Sequence, residues 1–284
     1  MFDLIESAKD LSVLFVGDTI IDEYQYVRPL GKSPKENVIP ALALEREIFV
    51  GGTHAAARHA RSFCKSVDVC SGDSRVRKVR MVDKNYLRKL YELHYVEPTD
   101  PAPAMKEADV TVVTDFGHGF ITRDMIYELC ERPFLAVNAQ TNAANIGFNL
   151  ITKYPRADYA CIDEPEIRLA LGERWRPVPE LAETLGGRLG ARAVSVTRGR
   201  HGALTCGPNG VRWEVPALSR RVVDRTGAGD AYLSLTAPCV AAGMPLEMVA
   251  LLGGVAGALA VQVVGNRAPV EPAAVRQVVT ALLA

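Results

Sequence analysis

The stretch Asp224-Arg-Thr-Gly-Ala-Gly-Asp230 runs without interruption into the apolar segment Ala231 to Ala242. Two glycines one residue apart let backbone N–H groups converge, and a helix starting there adds the positive end of its dipole. A small anion hole made by Gly227, Ala228 and Gly229 is the expected result, although a plain tight turn fits the same spacing. The run ends in an acid. Beside a bound phosphate, the Asp230 carboxylate can take the proton that an attacking hydroxyl loses, or it can simply complement the helix dipole.

Upstream, short β-rich apolar runs alternate with helical patterns. The strand candidates are Val13 to Val16, Val67 to Cys70, Val110 to Thr114, Phe134 to Val137, Tyr159 to Ile162 and Ala193 to Val196. Helix candidates lie at Thr53 to Cys64, Thr122 to Cys130, Glu164 to Leu171 and Val178 to Leu189. Near-continuous apolar strands suit a parallel sheet covered on both faces, so the fold class predicted for residues 1–284 is a single doubly wound α/β domain. Three helices close it, over Ala228 to Ala242, Leu246 to Val263 and Pro272 to Leu283. Two stretches break the alternation, Glu36 to Val50 and Arg75 to Val96, where charged and apolar residues partly alternate. They predict antiparallel strands outside the main sheet, a small β lid over residues 24–50 and 75–96 beside the site.

A formal net charge of zero gives no global field toward nucleic acid or an anionic membrane. The start, Met1 to Asp10, lacks the basic-then-apolar pattern of a secretory signal, which predicts a cytoplasmic protein. Leu251 to Val264 is shorter than the roughly 20 residues that cross a bilayer. The six cysteines form no Cys-x-x-Cys pair and the five histidines show no metal spacing, so no zinc site is expected. The first strand leads to Asp18-Thr-Ile-Ile-Asp22 without Gly-x-Gly-x-x-Gly, which argues against a dinucleotide-binding oxidoreductase.

Asp224-Arg-Thr-Gly-Ala-Gly-Asp230 resembles the carboxy-terminal signature of the ribokinase/PfkB sugar kinases. The resemblance implies a ribokinase-like fold, ATP and Mg2+ as cofactors, Asp230 as catalytic base and Gly227, Ala228 and Gly229 as anion hole. It allows a monovalent cation such as K+. Val16-Gly-Asp-Thr-Ile-Ile-Asp22 is similar to the strand end whose last aspartate binds acceptor hydroxyls, which implies that role for Asp22; an Asx turn is the plainer alternative. Gly51-Gly52 resembles the first family signature, where glycine lets the sugar approach. Val196-Thr-Arg-Gly-Arg-His-Gly202 resembles the strand and turn along the nucleotide, implicating Thr197, Gly199 and Gly202 there, unless it is only a β-turn. Thr226 and Asn266 are assigned to the same side. Asp163-Glu-Pro-Glu166 stands where the family has Asn-x-x-Glu, which implies that Asp163 and Glu166 organise magnesium-bound water; a helix N-cap at Asp163 is the other option.

Within the family the chain is most similar to heptose 7-phosphate kinases, through Gly17-Asp-Thr-Ile-Ile-Asp-Glu-Tyr-Gln-Tyr26 and Thr114-Asp-Phe-Gly-His-Gly119. That likeness implies phosphoryl transfer to the anomeric hydroxyl of a sugar phosphate. A phosphorylated acceptor needs cations, and the set Lys32, Lys35, Arg77, Lys78, Arg80, Arg88 and Lys89 supplies them; Lys78 and Arg88 are the residues chosen. Asp115 and Asn138, at successive strand ends, complete the expected acceptor site. The partners are then a small sugar or sugar phosphate and a second copy of the chain docked through the lid, with no nucleic acid and no membrane. Three departures stand out. Ala55 replaces the family asparagine after Gly51-Gly52, with Thr53 or His54 as substitutes; His118 stands where heptose kinases often carry lysine; and only Ser71 to Ser74 follow Cys70 where the family usually has a helix and a strand. These departures leave open another sugar or nucleoside acceptor, and a catalytically silent nucleotide- or sugar-binding homologue.

Overall fold

The computed structural model describes residues 8–73, 75–97, 103–219 and 221–283. Met1 to Ser7, read above for a signal pattern, and Ser74 in the short connection lie outside them. In chain order the strands are β1 (Ser12–Gly17), β2 (Thr19–Pro29), β3 (Ala41–Gly52), β4 (Ser66–Ser71), β5 (Val76–Asp83), β6 (Arg88–Val96), β7 (Val110–Asp115), β8 (Leu135–Ala139), β9 (Tyr159–Asp163), β10 (Ala193–Thr197), β11 (Ala203–Cys206) and β12 (Arg212–Val215). The helices are α1 (Thr53–Ala60), α2 (Arg123–Cys130), α3 (Glu164–Leu171), α4 (Val178–Leu189), α5 (Ala228–Ala241), α6 (Leu246–Ala260) and α7 (Pro272–Leu283).

Eight strands form one sheet in the order β12-β11-β10-β9-β8-β7-β1-β4. Every residue of β7 and β8 is buried, the mark of strands covered on both faces. Period-two alternation divides each strand between two cores. Along β1, Val13 and Phe15 pack into a cluster with Leu233 of α5 and Val255 of α6, while Leu14 and Val16 join Leu129 of α2 and Leu181 of α4. The strands from β4 through β10 in that order are parallel, as expected. The sheet then continues with β11 and β12, both antiparallel and not foreseen. Each has only four residues, too few for a periodic signal. Gly202 starts this extension at φ 79°, and a Cβ there would lie 1.9 Å from the Val215 carbonyl oxygen. Only glycine fits that turn.

The lid is a second sheet in the order β3-β2-β5-β6. It corrects the expectation of antiparallel strands at its centre, because β2 and β5 run parallel. The cause lies in the body: β1 and β4 are parallel neighbours, and each continues into the lid in the same direction. Asp18 alone separates β1 from β2, β3 runs directly into α1, and residues 72–75 join β4 to β5. These crossings are bonded together. Thr19 is the register partner of Gly52, its Oγ1 lies 2.9 Å from both Ser71 Oγ and the Gly72 carbonyl oxygen, and the Thr53 N–H donates to the Asp18 carbonyl at 3.1 Å. The short connection leaves β4 as the edge of the main sheet.

One lid face carries Asp22, Tyr24, Lys78 and Arg80, all buried, toward the body. The other carries Ile48, Val50, Leu93 and Tyr95, each more than 40% exposed. Among the described residues, no helix is long and apolar enough to cross a membrane.

Candidate active site

The carboxyl edge of the main sheet and the inner lid face enclose a cleft of about 1420 Å³. This is where open α/β sheets bind ligands, since several strands end together and their loops diverge. Asp22, Lys78 and Arg80 enter it from the lid; Asn138, Gln140, Asp163, Glu166 and Asn266 from the body; and the Thr226 to Asp230 turn lies between them.

Asp230 sits in the first turn of α5, whose N-cap is Gly227 in the left-handed conformation. The Gln140 amide donates to its Oδ1 at 2.8 Å. Burial, reinforced by the Asp22 charge, raises the Asp230 carboxyl to about 6 against the opposing effects of Gln140 and Lys78. A carboxylate with that affinity for protons is a better base than a solvated one and is still ionised near neutrality.

Asp22 lies within β2, not in a turn after a strand, and this corrects the expected local structure. Its Oδ1 is ion-paired with Arg80 Nη1, and its Oδ2 accepts from Asn266 Nδ2 at 3.1 Å. A Cβ on Gly51 would fall 2.0 Å from that Oδ2, so Gly51 keeps the carboxylate in place by leaving room for it. Gly52 reaches the cleft itself.

Asn266 had been assigned to the nucleotide side; instead it bridges Asp22 and the anion hole, where a Cβ on Gly227 would meet its Oδ1 at 2.8 Å. Thr226 lines the cleft, but its hydroxyl is held by Lys89 Nζ at 2.7 Å and Asp224 Oδ1 at 2.9 Å. Thr197, Gly199 and Gly202 line the same cleft.

Lys78 stands opposite Asp22 on one side and His94 on the other. Burial lowers its pKa, and the Asp22 charge opposes that shift. Arg88 does not reach the site. It is exposed at the start of β6, and the cation that turns inward is its neighbour Lys89, 2.9 Å from Asp224. The register slips at this point: Met81 faces Tyr91 but Val82 faces Lys89, so Leu90 is an extra residue in the strand. A bulge reverses the facing of every side chain beyond it.

Asp115 does not face the cleft either. Its carboxylate is buried and bonded to Tyr154 Oη at 2.6 Å, Asn149 Nδ2 at 3.1 Å and the Gly117 N–H at 3.1 Å, with Lys153 as ion partner. It anchors the 140–150 segment. Asn138 does line the cleft; its Nδ2 donates to the Cys161 carbonyl at 2.7 Å, while its buried Oδ1 has no protein partner. Thr53 and His54 do not replace the absent asparagine. Thr53 is bonded to Asp18 and Thr114, and His54 to Ser71. His118 is buried with its Nε2 unpartnered, and burial, helped by Lys78, depresses its pKa to about 4.

Asp163 and Glu166 form a reciprocal capping box at the start of α3, so the N-cap reading of Asp163 holds. Both also line the cleft. Burial and the Asp163 charge push Glu166 up to about 8, and burial raises Asp163 as well. A cation beside them would reverse both shifts. Glu166 already accepts from the Asp163 and Thr141 N–H groups, and no group of three or more His, Cys, Asp or Glu side chains among the described residues could hold a metal directly. The pair therefore fits a divalent ion held through water.

The sequence names Arg80 only as one cation of a set, and it gives Gln140 and Tyr24 no role of their own. Gln140 stood in the amide-rich run Asn138 to Asn142, and Arg80 shares the parity of Lys78, so both carried a signal. Tyr24 carried none beyond its place in the run Gly17 to Tyr26, two residues after Asp22.

Residues 149–273 match the model of the pfkB family carbohydrate kinases. The bifunctional protein HldE of Acidiphilium cryptum is 28% identical over 321 aligned positions, covering 93% of this chain and 63% of that protein. The chain thus spans less than two thirds of the length of the curated relatives it matches first. The alignment is also longer than the chain's 284 residues, so that relative carries positions absent here. Phosphofructokinase-2 from Escherichia coli, solved with potassium, superposes with a TM-score of 0.72 over 97% of this chain and all of that one at 14% identity. Ribokinase from Thermotoga maritima superposes with a TM-score of 0.68 over 95% of this chain and 99% of that one, at 19% identity. Over residues 149–273 the chain is thus similar to the pfkB family carbohydrate kinases, and its fold is ribokinase-like.

Proposed function

We propose that this protein is an ATP-dependent kinase that phosphorylates a hydroxyl of a sugar or sugar phosphate, with the anomeric hydroxyl of a heptose 7-phosphate as the foremost acceptor. The observation that carries this reading is the pairing of two carboxylates across one cleft. Asp230 lies on the anion-hole turn with its proton affinity raised, and Asp22, on the facing lid, is fixed by Arg80 of the lid and Asn266 of the body. Asp22 would receive acceptor hydroxyls. Asp230 would take the proton of the attacking hydroxyl as its oxygen bonds to the γ-phosphorus and ADP leaves, while the N–H groups of Gly227 and Gly229 would face the charge on the transferring group and that of Ala228 would exchange its long 3.4 Å bond to the Arg225 carbonyl for the same role. Thr197, Gly199 and Gly202 would border the nucleotide. Mg2+, when bound, supplies charge neutralisation at the phosphates, and Asp163 and Glu166 would orient its water shell. The phosphofructokinase-2 that binds potassium makes K+ the monovalent ion to include in assays.

The test is ATP consumption against heptose 7-phosphates, hexose phosphates, free sugars and nucleosides. Turnover on one acceptor supports the kinase and names its class. ATP binding without turnover on any acceptor would replace the reading with a silent binding protein. Lys78 is the cation retained for an acceptor phosphate. Lys78→Met is expected to raise the KM of a phosphorylated acceptor by about tenfold or more, with little change for ATP. An equal rise in both would remove Lys78 from the acceptor site.

The apolar outer lid face, with Ile48, Val50, Leu93 and Tyr95, suits a second copy of the chain. Covering it would also protect the β3 and β6 edges. Light scattering at micromolar concentration is expected to give twice the chain mass; a monomer would reject the dimer.

A further inference from the structure

Asp224 opens the anion-hole loop but lies outside the chemistry assigned above. Its carboxylate is buried and receives donors from two sides. From the body, Oδ1 accepts from the Thr226 N–H at 3.1 Å and Oγ1 at 2.9 Å, and Oδ2 accepts from the Gly265 N–H at 3.1 Å. From the lid, Lys89 Nζ lies 2.9 Å from Oδ1, and Tyr24 Oη donates to Oδ2 at 2.9 Å. Lys89 Nζ also reaches Thr226 Oγ1 at 2.7 Å and lies over the Tyr24 ring. The lid also grips the segment that follows Gly265: Asp22 accepts from Asn266, and Glu47 accepts from Arg267 at 2.7 Å.

We propose that Lys89 and Tyr24 are positioning residues that tie closure of the lid to assembly of the anion hole, with Asp224 as the shared receptor. The inference rests on the kinase reading for its catalytic consequence, though not for the contact itself. A buried carboxylate is tolerated only while cations and N–H donors surround it. Burial works against the Asp224 charge, and the Lys89 ammonium, the Thr226 N–H and the Tyr24 hydroxyl outweigh it, holding the carboxyl at about 2. When the lid lifts, the ammonium and the phenol leave together. Asp224 must then turn toward water, and it carries with it the Thr226 N–H that sets the course of the chain into Gly227. The phosphoryl-binding turn is therefore complete only when the lid has closed over an acceptor. Such coupling directs the γ-phosphoryl group to the acceptor and away from water.

The experiment compares the unsubstituted protein with Lys89→Met, Lys89→Arg, Lys89→Ala and Tyr24→Phe. Lys89→Met is expected to lower kcat by about 100-fold with the ATP KM within about twofold, because a displaced turn costs geometry more than affinity. ADP released per acceptor phosphorylated should rise above one. Lys89→Arg should keep most of the activity, and ammonium or methylammonium ions should restore part of it to Lys89→Ala. Tyr24→Phe should add little on top of Lys89→Met, since both act on one carboxylate. A loss of kcat with coupling unchanged and no rescue by ammonium would make Lys89 a merely structural residue, and an unchanged kcat would overturn the proposal. Hydrogen exchange of the 224–230 amides reads the latch without any turnover: faster exchange in Lys89→Met at equal global stability supports it, and equal rates reject it even if the kinase reading itself fails.

Discussion

Replacing Asp230 by asparagine is expected to lower kcat by about 10³–10⁴-fold while ATP affinity stays within about twofold. Asparagine keeps the volume of the side chain and can still bond Gln140, so the first turn of α5 is preserved and only the capacity to hold a proton is lost. The pH profile supplies an independent check. Asp230 must be ionised to act as a base, and its carboxyl is raised to about 6, so kcat/KM should be flat above neutrality and fall as the pH drops through about 6. Single-turnover measurements of the variant across pH test both parts. Near-normal kcat would end the assignment of Asp230 as base.

Asp22→Asn should give the second large effect, a fall of acceptor kcat/KM by about 10²–10³-fold with ATP binding unaffected. It should do something further that a simple loss of binding would not. The Asp22 charge is one of the causes that raise the Asp230 carboxyl. Removing that charge favours ionised Asp230, so the acid limb of the profile should move to lower pH. An unmoved limb would show that the two carboxylates do not sense each other in the working enzyme. Arg80 remains paired with Glu92 at 3.1 Å in this variant, so the lid keeps a partner for its buried guanidinium.

Much of the architecture was legible because it rests on local chemistry. The Gly227 to Asp230 turn, the runs that became β1, β7, β8, β9 and β10, and the acidic start of α3 all announce themselves within a few residues. What stayed hidden depends on how separate elements meet. The parallel pairing of β2 with β5 follows from the way β1 and β4 enter the lid. Plain alternation from His94 and Glu92 puts Arg88 inward, and only the extra residue Leu90 hands that place to Lys89. Asp115 looked like its neighbours at the sheet edge, yet Tyr154 and Lys153, far along the chain, occupy its oxygens. Asn266 is far in sequence from Asp22, the residue it holds, so no motif could connect them.

Three of the four covalent crossings between body and lid lie side by side, where Thr19 pairs with Gly52 and touches Ser71 and Gly72; the fourth leaves β6 at Val96, the register partner of Val76 at the start of β5. Tyr24, Glu47 and Lys89 meet the body several residues further along their strands. A plate pinned along one edge and fastened at a distance from it behaves as a door: it has one axis, and its outer parts travel farthest for a given swing. Entry to the cleft and exit from it then share a single angular coordinate. The shortened link between β4 and β5 takes slack out of that hinge, and the lid should open and shut as one rigid leaf.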